Sequence, residues 1–576
     1  MFQARSPIIE DRVTAVFTFF TVQLSIMNAL REQLARLIKG DVADDAETRK
    51  KYSRDTSIFE RTPEVVVFPK DAEDVVAVVK YAGEAKRRGE LVSITARSAG
   101  TDMTGGTLTD SISLVFTKYM NRMIEVGGDY AVAEPGTYYR DFEKATLAKG
   151  AGLLPSYPAS RELCAIGGIV SNNSGGELTL RYGKTNDYVK ELEVVLSDGS
   201  RTTLRPLSMR ELAAKKLEQN LEGDIYRKVH ALIEEHTDEI EAARPNVTKN
   251  SAGYALWNVL DKKRNTFDLT QLICGSQGTL ALVTKAKLGL VKPPEYRAML
   301  VVFLSDIGIL PEIVHRVLKL DPESFESYDD QTFKLAVRLI PQIIRQFGFF
   351  GMIRLGFAFI PEMWMVFTGG VPKLVLMAEF AESSADEALR KAEEAGSSLH
   401  GLHVRTKIAK SAAEAAKYWT IRRESFALLR KNLRGLYASP FIDDIVVHPD
   451  DYPRFLPELE RLLSQYKLLY TIAGHIGDGN FHIIPLMNLG RPYEHKEILE
   501  LSPKVYELVA KYHGSITGEH NDGIIRTPYL PIMFGEKMCA LFAEVKNIFD
   551  PLNILNPGKK VGGTIADIDT YMIRSS

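Results

Sequence analysis

At 576 residues the chain is too long for one hydrophobic core, so two or three domains are expected. Apolar content of 45% and charged content of 25% are those of an ordinary soluble globular protein, and a net charge of −2 with no long basic run excludes a nucleic-acid footprint. Cys164, Cys274 and Cys539 form no CxxC pair, which argues against a disulfide framework and a thiolate zinc site and fits a reducing compartment. Near the N-terminus, residues 13–27 are largely apolar but shorter than the ~20 residues that span a bilayer, and no small-residue cleavage site follows. Met27 opens a cleaner amphipathic helix with Leu30, Leu34 and Leu37 at helical spacing, and it is a candidate natural start.

From Pro63 short apolar strands alternate with helices. PEVVVFP reads as a strand, and DAEDVVAVVKYAGEAKRRG as a helix with an acidic first turn and a basic last turn. LVSITAR is a strand running into the glycine-rich SAGTDMTGG; SISLVFT and YAVAEPG follow as strands, then YRDFEKATLAKGAG as a helix. LEVVLSDGS and RTTLRPL form a predicted hairpin across the DG turn. QLICGSQGTLALVTKAKLGLV alternates strand-like runs with a glycine turn, which closes an α+β region near Lys292. After Pro293, AMLVVFLSD, a helix, VLMAEF and the helix SADEALRKAEEAG suggest a second α+β domain with βαβ-like alternation. Within it, residues 345–370 are rich in Phe, Met and Ile. They read either as a buried helical insertion or as an amphipathic surface resting on a membrane, with Arg345 and Arg354 at headgroup level.

Three small-residue segments carry the first functional signal. RSAGTDMTGG (Arg97 to Gly106) follows a strand, and its glycines let backbone N–H groups approach an anion. It matches neither GxGxxG nor GxxxxGK[ST], so the Rossmann and P-loop readings fail. PSYPASRELCAIGGIVSNNSGG (Pro155 to Gly176) and CGSQGTLALVT add two more such segments, and together they can enclose a long dinucleotide.

Their order resembles the FAD-binding domain of the vanillyl-alcohol-oxidase/p-cresol-methylhydroxylase flavoproteins, within them the D-2-hydroxyacid dehydrogenase branch. That branch holds D-lactate and D-2-hydroxyglutarate dehydrogenases and the glycolate oxidase flavin subunit. RSAGT stands for the family's RGGGT, Ile166-Gly167-Gly168 through Gly176 for IGG…N.GG, Arg181-Tyr182-Gly183 for RYG, and GSQGTLALVT for GSEGTLGIVT. The resemblance implies an α+β fold: a two-subdomain FAD-binding domain of the p-cresol-methylhydroxylase (PCMH) type over 63–293, after N-terminal helices in 1–62. A substrate or cap domain over 294–530 follows, and 531–576 returns to the flavin domain through LNPGKK.

It also implies FAD held by Arg97, Ser98, Ala99, Gly100, Thr101, Thr104, Gly105 and Gly106, then by Pro158, Ser160, Gly167, Gly168, Asn172, Ser174 and Gly175. Tyr182, Gly183, Gln277, Gly278, Val283 and Asn556 complete the implied set. No histidine lies in the RSAGT loop, where some relatives attach flavin covalently, so noncovalent FAD is expected.

GHIGDGNFHIIPL (Gly474 to Leu486) reads as strand, tight glycine turn, strand, which lets His475 and His482 point into one cavity. Such a pair is also an ordinary structural feature of glycine turns. GSITGEHNDGIIR adds Glu519 and His520, and two histidines with one carboxylate leave coordination positions open, as reactive sites do. A metallohydrolase fits that spacing too, although HExxH is absent and the FAD loops have no place in it.

In the resembling dehydrogenases GHxGDGNxH and GEHG hold a divalent metal beside the flavin. Carried over, His475, His482 and Glu519 are the ligands, for Zn, Mn or Fe, and His520 is the catalytic base. Asp478 and Asn480 are expected to orient the turn or the histidines, and Asn521 replaces the last glycine of GEHG. Arg422 in YWTIRRES matches the family's WxxR arginine and is expected to hold the substrate carboxylate, with Arg423 the alternative. Ile442 and Ile484 stand where hydroxyglutarate enzymes carry a polar substrate contact, which favours a small, lactate-like D-2-hydroxy acid.

The implied activity is oxidation of that acid to its 2-oxo acid, with electrons passed to a quinone or a carrier protein. An O₂-using oxidase and a noncatalytic flavin-binding subunit are the alternatives. A cytoplasmic location is expected, with a peripheral contact on the inner face of the membrane as an option; the chain's oligomeric state is left open.

Overall fold

The computed structural model describes residues 30–330, 372–432 and 436–574. The apolar run at 13–27 and the insertion at 345–370 lie outside the described residues. Among the described residues, no helix is long and apolar enough to cross a membrane.

The chain opens on a four-stranded sheet of β1 (Asp41–Ala43), β2 (Val65–Phe68), β3 (Ile94–Arg97) and β4 (Ile112–Val115), in the order β1-β2-β4-β3. β2 and β3 run parallel to β4. The crossover between β2 and β3 is the helix Ala72–Arg87, started by Asp71, whose carboxylate accepts from the N–H groups of Glu73 and Asp74. Covered on both faces, β2 is apolar throughout, which is why VVVF shows no alternation.

A second, antiparallel sheet follows, built from β5 (Met123–Val126), β6 (Tyr130–Ala133), β7 (Val189–Val195), β8 (Arg201–Leu204) and β9 (Leu282–Gly289). Its order is β5-β6-β9-β7-β8, and the DG turn joins β7 to β8 as the sequence predicts. One expectation fails in detail. In QLICGSQGTLALVT the residues Thr270–Ile273 form a helical turn, and the strand starts only at Leu282. The intervening Gln277 and Gly278 both have positive φ, so the backbone there turns instead of extending.

The cap is one large sheet. In chain order its strands are β10 (Tyr296–Leu304), β11 (Ser324–Asp329), β12 (Leu374–Glu382), β13 (Arg405–Ala409), β14 (Tyr437–Ala438), β15 (Ile445–Val446), β16 (Leu469–His475) and β17 (Asn480–Met487). They lie in the order β13-β10-β12-β11-β16-β17-β14, with β15 also on β17, and every pairing is antiparallel. The βαβ-like alternation read from the sequence therefore serves antiparallel pairing, because each helix returns the chain across one face.

Period-2 alternation gives the sheet two distinct faces. Leu300, Val302, Leu376, Ala378, Phe481 and Ile483 point to the face covered by the helices Leu310–Leu318, Ala385–Ser398 and Tyr452–Leu463. Met299, Val301, Val375, Met377 and Ala473 point the other way, against Ala415 and Tyr418 of the helix α1 (Ala412–Asn432). The functional side chains sit on this second face.

The helix α2 (Leu530–Phe549) leaves the cap and places Met538, Leu541, Phe542 and Val545 in the core beneath the second sheet. The chain then reaches β3, where the N–H of Ile94 donates to the carbonyl of Ile554 at 2.7 Å.

Candidate active site

Strand register assembles the histidines. Phe481 and Ile483 enter the helix-covered core, so His482 between them faces the opposite side. Ala473 shares that opposite side, and so does His475 two residues on. The pairings Ala473 with His482 and His475 with Asn480 make the histidines diagonal neighbours, with ring centroids 5.3 Å apart and planes at 84°. The turn needs its glycines: Gly479 has φ of 77°, and a Cβ there would meet the Val447 carbonyl.

β11 lies beside β16 with Ser327 opposite Gly474, which brings Glu326 level with His475. Glu326 Oε1 is 2.5 Å from His475 Nδ1, leaving Nε2 to face Glu519 Oε1 at 2.9 Å. His482 Nδ1 is 3.1 Å from Asp443 Oδ1, so its Nε2 also faces inward. Ligand atoms of His475, His482 and Glu519 all lie within 4.8 Å of one another.

The donor set fits a divalent metal. Two neutral imidazoles and a carboxylate suit zinc, manganese or iron, and a carboxylate behind each ring orients the facing nitrogen. Burial disfavours the His475 cation, yet Glu326 and Glu519 outweigh it and hold its pKa at about 9. A proton on Nε2 is therefore shared with Glu519, and a divalent cation between the same two atoms would take that proton's place. Asp443, His482 and His520 also approach within 4.8 Å, but both Asp443 oxygens face Nδ1 atoms and so stand behind the rings.

His520 completes the arrangement. Its Nδ1 is 2.9 Å from Asp443 Oδ2, its ring lies 5.2 Å from that of His482, and it is the most exposed of the three histidines. Burial opposes its charging, but Asp444 and Asp443 raise its pKa to about 9. Asp444, at φ of 67°, fixes the loop: its carboxylate accepts from the N–H groups of Glu519 (2.9 Å) and His520 (2.7 Å) and from the Thr517 hydroxyl (2.6 Å).

Asp478 and Asn480 are the residues expected to orient the turn or the histidines. Neither bonds a histidine ring. Asn480 donates to Asp444 at 3.0 Å, and Asp478 lies 3.3 Å from the ammonium of Lys249. Lys249, wholly buried, donates to Glu519 Oε1 at 2.6 Å and to the Gly176 carbonyl at 3.2 Å. Both residues of the GDGN turn therefore hold the Glu519–His520 loop. With Lys249 and His475 beside it, Glu519 stays ionised well below the usual carboxylate range despite its burial.

The glycine loops and the histidines share one cavity of about 360 Å³. Its wall includes Ser98, Ala99, Gly100, Thr101, Gly106, Pro158, Ser160, Gly167, Gly168, Asn172, Ser174, Gln277, Gly278 and Val283. At the other end it is lined by Glu326, Arg422, Arg423, His475, His482, Glu519 and His520. Among the described residues, Asn172 Oδ1 is buried on this wall without a protein partner, and Gly168 meets only Ser98 within 4 Å of an added Cβ. A wall of small residues with an unanswered acceptor fits a long cofactor bearing hydrogen-bond donors.

The remaining predicted FAD residues stand behind that wall. Arg97 donates to the Arg54 carbonyl at 2.7 Å, and the Thr104 hydroxyl lies 3.0 Å from the carboxylate of Asp102. Gly105 packs on Phe59 and Ile524, Gly175 beneath Glu519, and Gly183 beside Asp187. Asn556 donates to the carbonyls of Gly106 (2.9 Å) and Gln277 (2.7 Å), tying two loops together. Tyr182 reaches the cap instead, donating to Glu323 at 3.0 Å, while Arg181 donates to the Ala381 carbonyl at 2.7 Å.

Arg422, on α1, is half-buried at the wall with Nη2 3.3 Å from Glu326 Oε2. Arg423 pairs with Glu177 at 2.5 Å and lies over the Trp419 ring. Ile442 and Ile484 are both buried, Ile442 in the helix-covered core, and neither is on the cavity wall. The inference about substrate size drawn from these two positions therefore has no support in the wall itself. Sequence reasoning missed Lys249, Glu326, Asp443 and Asp444. Only the acidic pair in FIDDIVV gave a signal: two adjacent carboxylates inside an otherwise apolar run.

Comparison with known proteins matches the two parts of the chain to two domains. The FAD binding domain model matches residues 63–205, and the model of the FAD linked oxidases, C-terminal domain, matches residues 293–560. A D-2-hydroxyglutarate dehydrogenase of Pseudomonas putida is 28% identical over 90% of this chain. The chain spans only about half the length of that relative, 50%. A D-lactate dehydrogenase of Archaeoglobus fulgidus is 26% identical, over 86% of this chain and 91% of its own length. The solved structure of p-cresol methylhydroxylase shares the fold with a TM-score of 0.65 at 15% identity, covering 94% of this chain and 97% of its own. The chain thus carries an FAD binding domain followed by the C-terminal domain of the FAD linked oxidases, and it shares the fold of p-cresol methylhydroxylase.

Proposed function

We propose that this chain is an FAD- and divalent-metal-dependent dehydrogenase that oxidises a small D-2-hydroxy acid to its 2-oxo acid. The observation that carries the reading is the shared cavity: its small-residue wall leads directly to His475, His482, Glu519 and His520. FAD would lie along the wall, with Asn172, Ser174 and Gln277 among its contacts, and the metal would sit between His475, His482 and Glu519.

When bound, the metal supplies a chelation point for the acid's carboxylate and hydroxyl and lowers the hydroxyl pKa, while FAD supplies the hydride acceptor. The chain's own residues do the rest. Arg422 holds the substrate carboxylate. His520, its pKa lowered by a cation bound beside it, takes the hydroxyl proton at its freed Nε2, and Asp443 at Nδ1 keeps that nitrogen aimed into the cavity and stabilises the imidazolium that forms. The buried face of the cap sheet keeps bulk water from the reacting carbon.

The arginines on the described wall are Arg422 and Arg423, which face Glu326 and Glu177. A lactate-like acid, which brings a single carboxylate to Arg422, is the substrate proposed. The electrons then leave to a quinone or a separate carrier protein, since three scattered cysteines do not make an iron–sulfur site in this chain.

Metal removal tests the reading. Chelator treatment is expected to abolish flavin reduction by substrate while leaving the flavin spectrum in place, and added Zn²⁺ or Mn²⁺ to restore it. His482→Ala should lose the metal and still retain FAD. Full reduction by the chelated enzyme would refute the metal's role.

A further inference from the structure

Two buried carboxylates each serve two partners on this face of the cap. Asp443 faces the Nδ1 atoms of His482 and His520. Glu326 has one oxygen 2.5 Å from His475 Nδ1 and the other 3.3 Å from Arg422 Nη2. The second arrangement joins groups of different purpose. His475 belongs to the metal set, Arg422 to the substrate set, and they come from β16 and α1, which the chain connects only through β14, β15 and a helix. Glu326 is 1% exposed, so no water shell dilutes either contact.

Resting on the reading above, we propose that Glu326 is a positioning residue that couples the metal site to the substrate arginine. A carboxylate's charge is finite, and the partner that draws it more strongly leaves less for the other. A cation bound at His475 Nε2 makes the Nδ1–H more acidic and draws Glu326 towards the ring, which frees Arg422 to meet an incoming carboxylate. In the other direction, a substrate carboxylate on Arg422 releases Glu326 to His475 and strengthens that imidazole as a ligand. Metal and acid thus favour each other's binding through protein as well as by direct chelation. By linkage the coupling is the same in both directions.

A double-mutant cycle on Zn²⁺ affinity, measured by competition with a chromophoric chelator on the FAD-loaded full chain without substrate, isolates this coupling. Glu326→Gln should weaken Zn²⁺ binding by about 10–100-fold. Arg422→Met should tighten it, because Glu326 no longer divides its charge. In the Glu326→Gln background the effect of Arg422→Met should shrink, so that the cycle departs from additivity by roughly threefold or more. If Arg422→Met changes affinity by the same factor in both backgrounds, the arginine acts only through space and the proposal fails. Glu326→Asp, which keeps the charge on a stem too short to span both partners, guards against loss of the fold; it too should abolish the non-additivity, and a cycle identical to wild type would overturn the proposal. Absence of Zn²⁺ binding by the wild-type protein would sink the metal reading itself, an outcome distinct from additivity in the cycle.

Discussion

Replacing His520 with alanine is expected to leave FAD and metal bound and to slow flavin reduction by about 10²–10⁴-fold, the range for loss of a positioned general base. The expectation rests on geometry. His520 lies 5.2 Å from His482 yet is not among the three inward-facing ligand groups, and Asp443 fixes its Nδ1 at 2.9 Å. Its backbone N–H is held by Asp444, so the loop that carries Glu519 keeps its shape when the imidazole is removed. Stopped-flow absorbance of the flavin under anaerobic conditions, with metal content measured on the same sample, checks both halves. Loss of metal with turnover preserved would reverse the roles assigned to His520 and the ligand set.

Lys249→Met should destabilise the protein by about 3–5 kcal/mol, because it strips the ammonium from two buried carboxylates, Glu519 and Asp478. Methionine fills similar space, so the loss reports charge and not a cavity. Saturating divalent metal should recover part of that stability, since a cation at Glu519 replaces the missing positive charge and binds only the folded state. Urea unfolding with and without Zn²⁺ measures both effects. An unchanged midpoint would show that Lys249 is not the countercharge of the site.

Much of this architecture was legible because it depends on local patterns. The DG hairpin, the Asp71-capped helix and the His475–His482 hairpin follow from turn chemistry and periodicity. The GEHN loop and the three small-residue segments mark one cavity because their resemblance places them in order. What was not legible depends on strands and loops distant in sequence. Glu326 sits in SFESYD with nothing local to distinguish it from a surface glutamate, and only the register of β11 against β16 sets it beside His475. Lys249 reads as an ordinary lysine until the fold brings Glu519 to it across 270 residues. Asp478 and Asn480 are expected from sequence to orient the turn or the histidines; Asn480 shares the histidines' strand face, yet the side chains reach Lys249 and Asp444, partners that no local pattern announces. Tyr182 shows the same limit: its motif sits among the cofactor loops, but its hydroxyl closes a contact with the cap.

Anaerobic titration of the purified yellow protein with paired enantiomers of small 2-hydroxy acids, with lactate first, tests the central claim most directly. The D-enantiomer is expected to bleach the flavin absorbance, the L-enantiomer to bleach it little, and neither to do so once a chelator has removed the metal. Failure of every 2-hydroxy acid to reduce the flavin in metal-replete protein would contradict that claim.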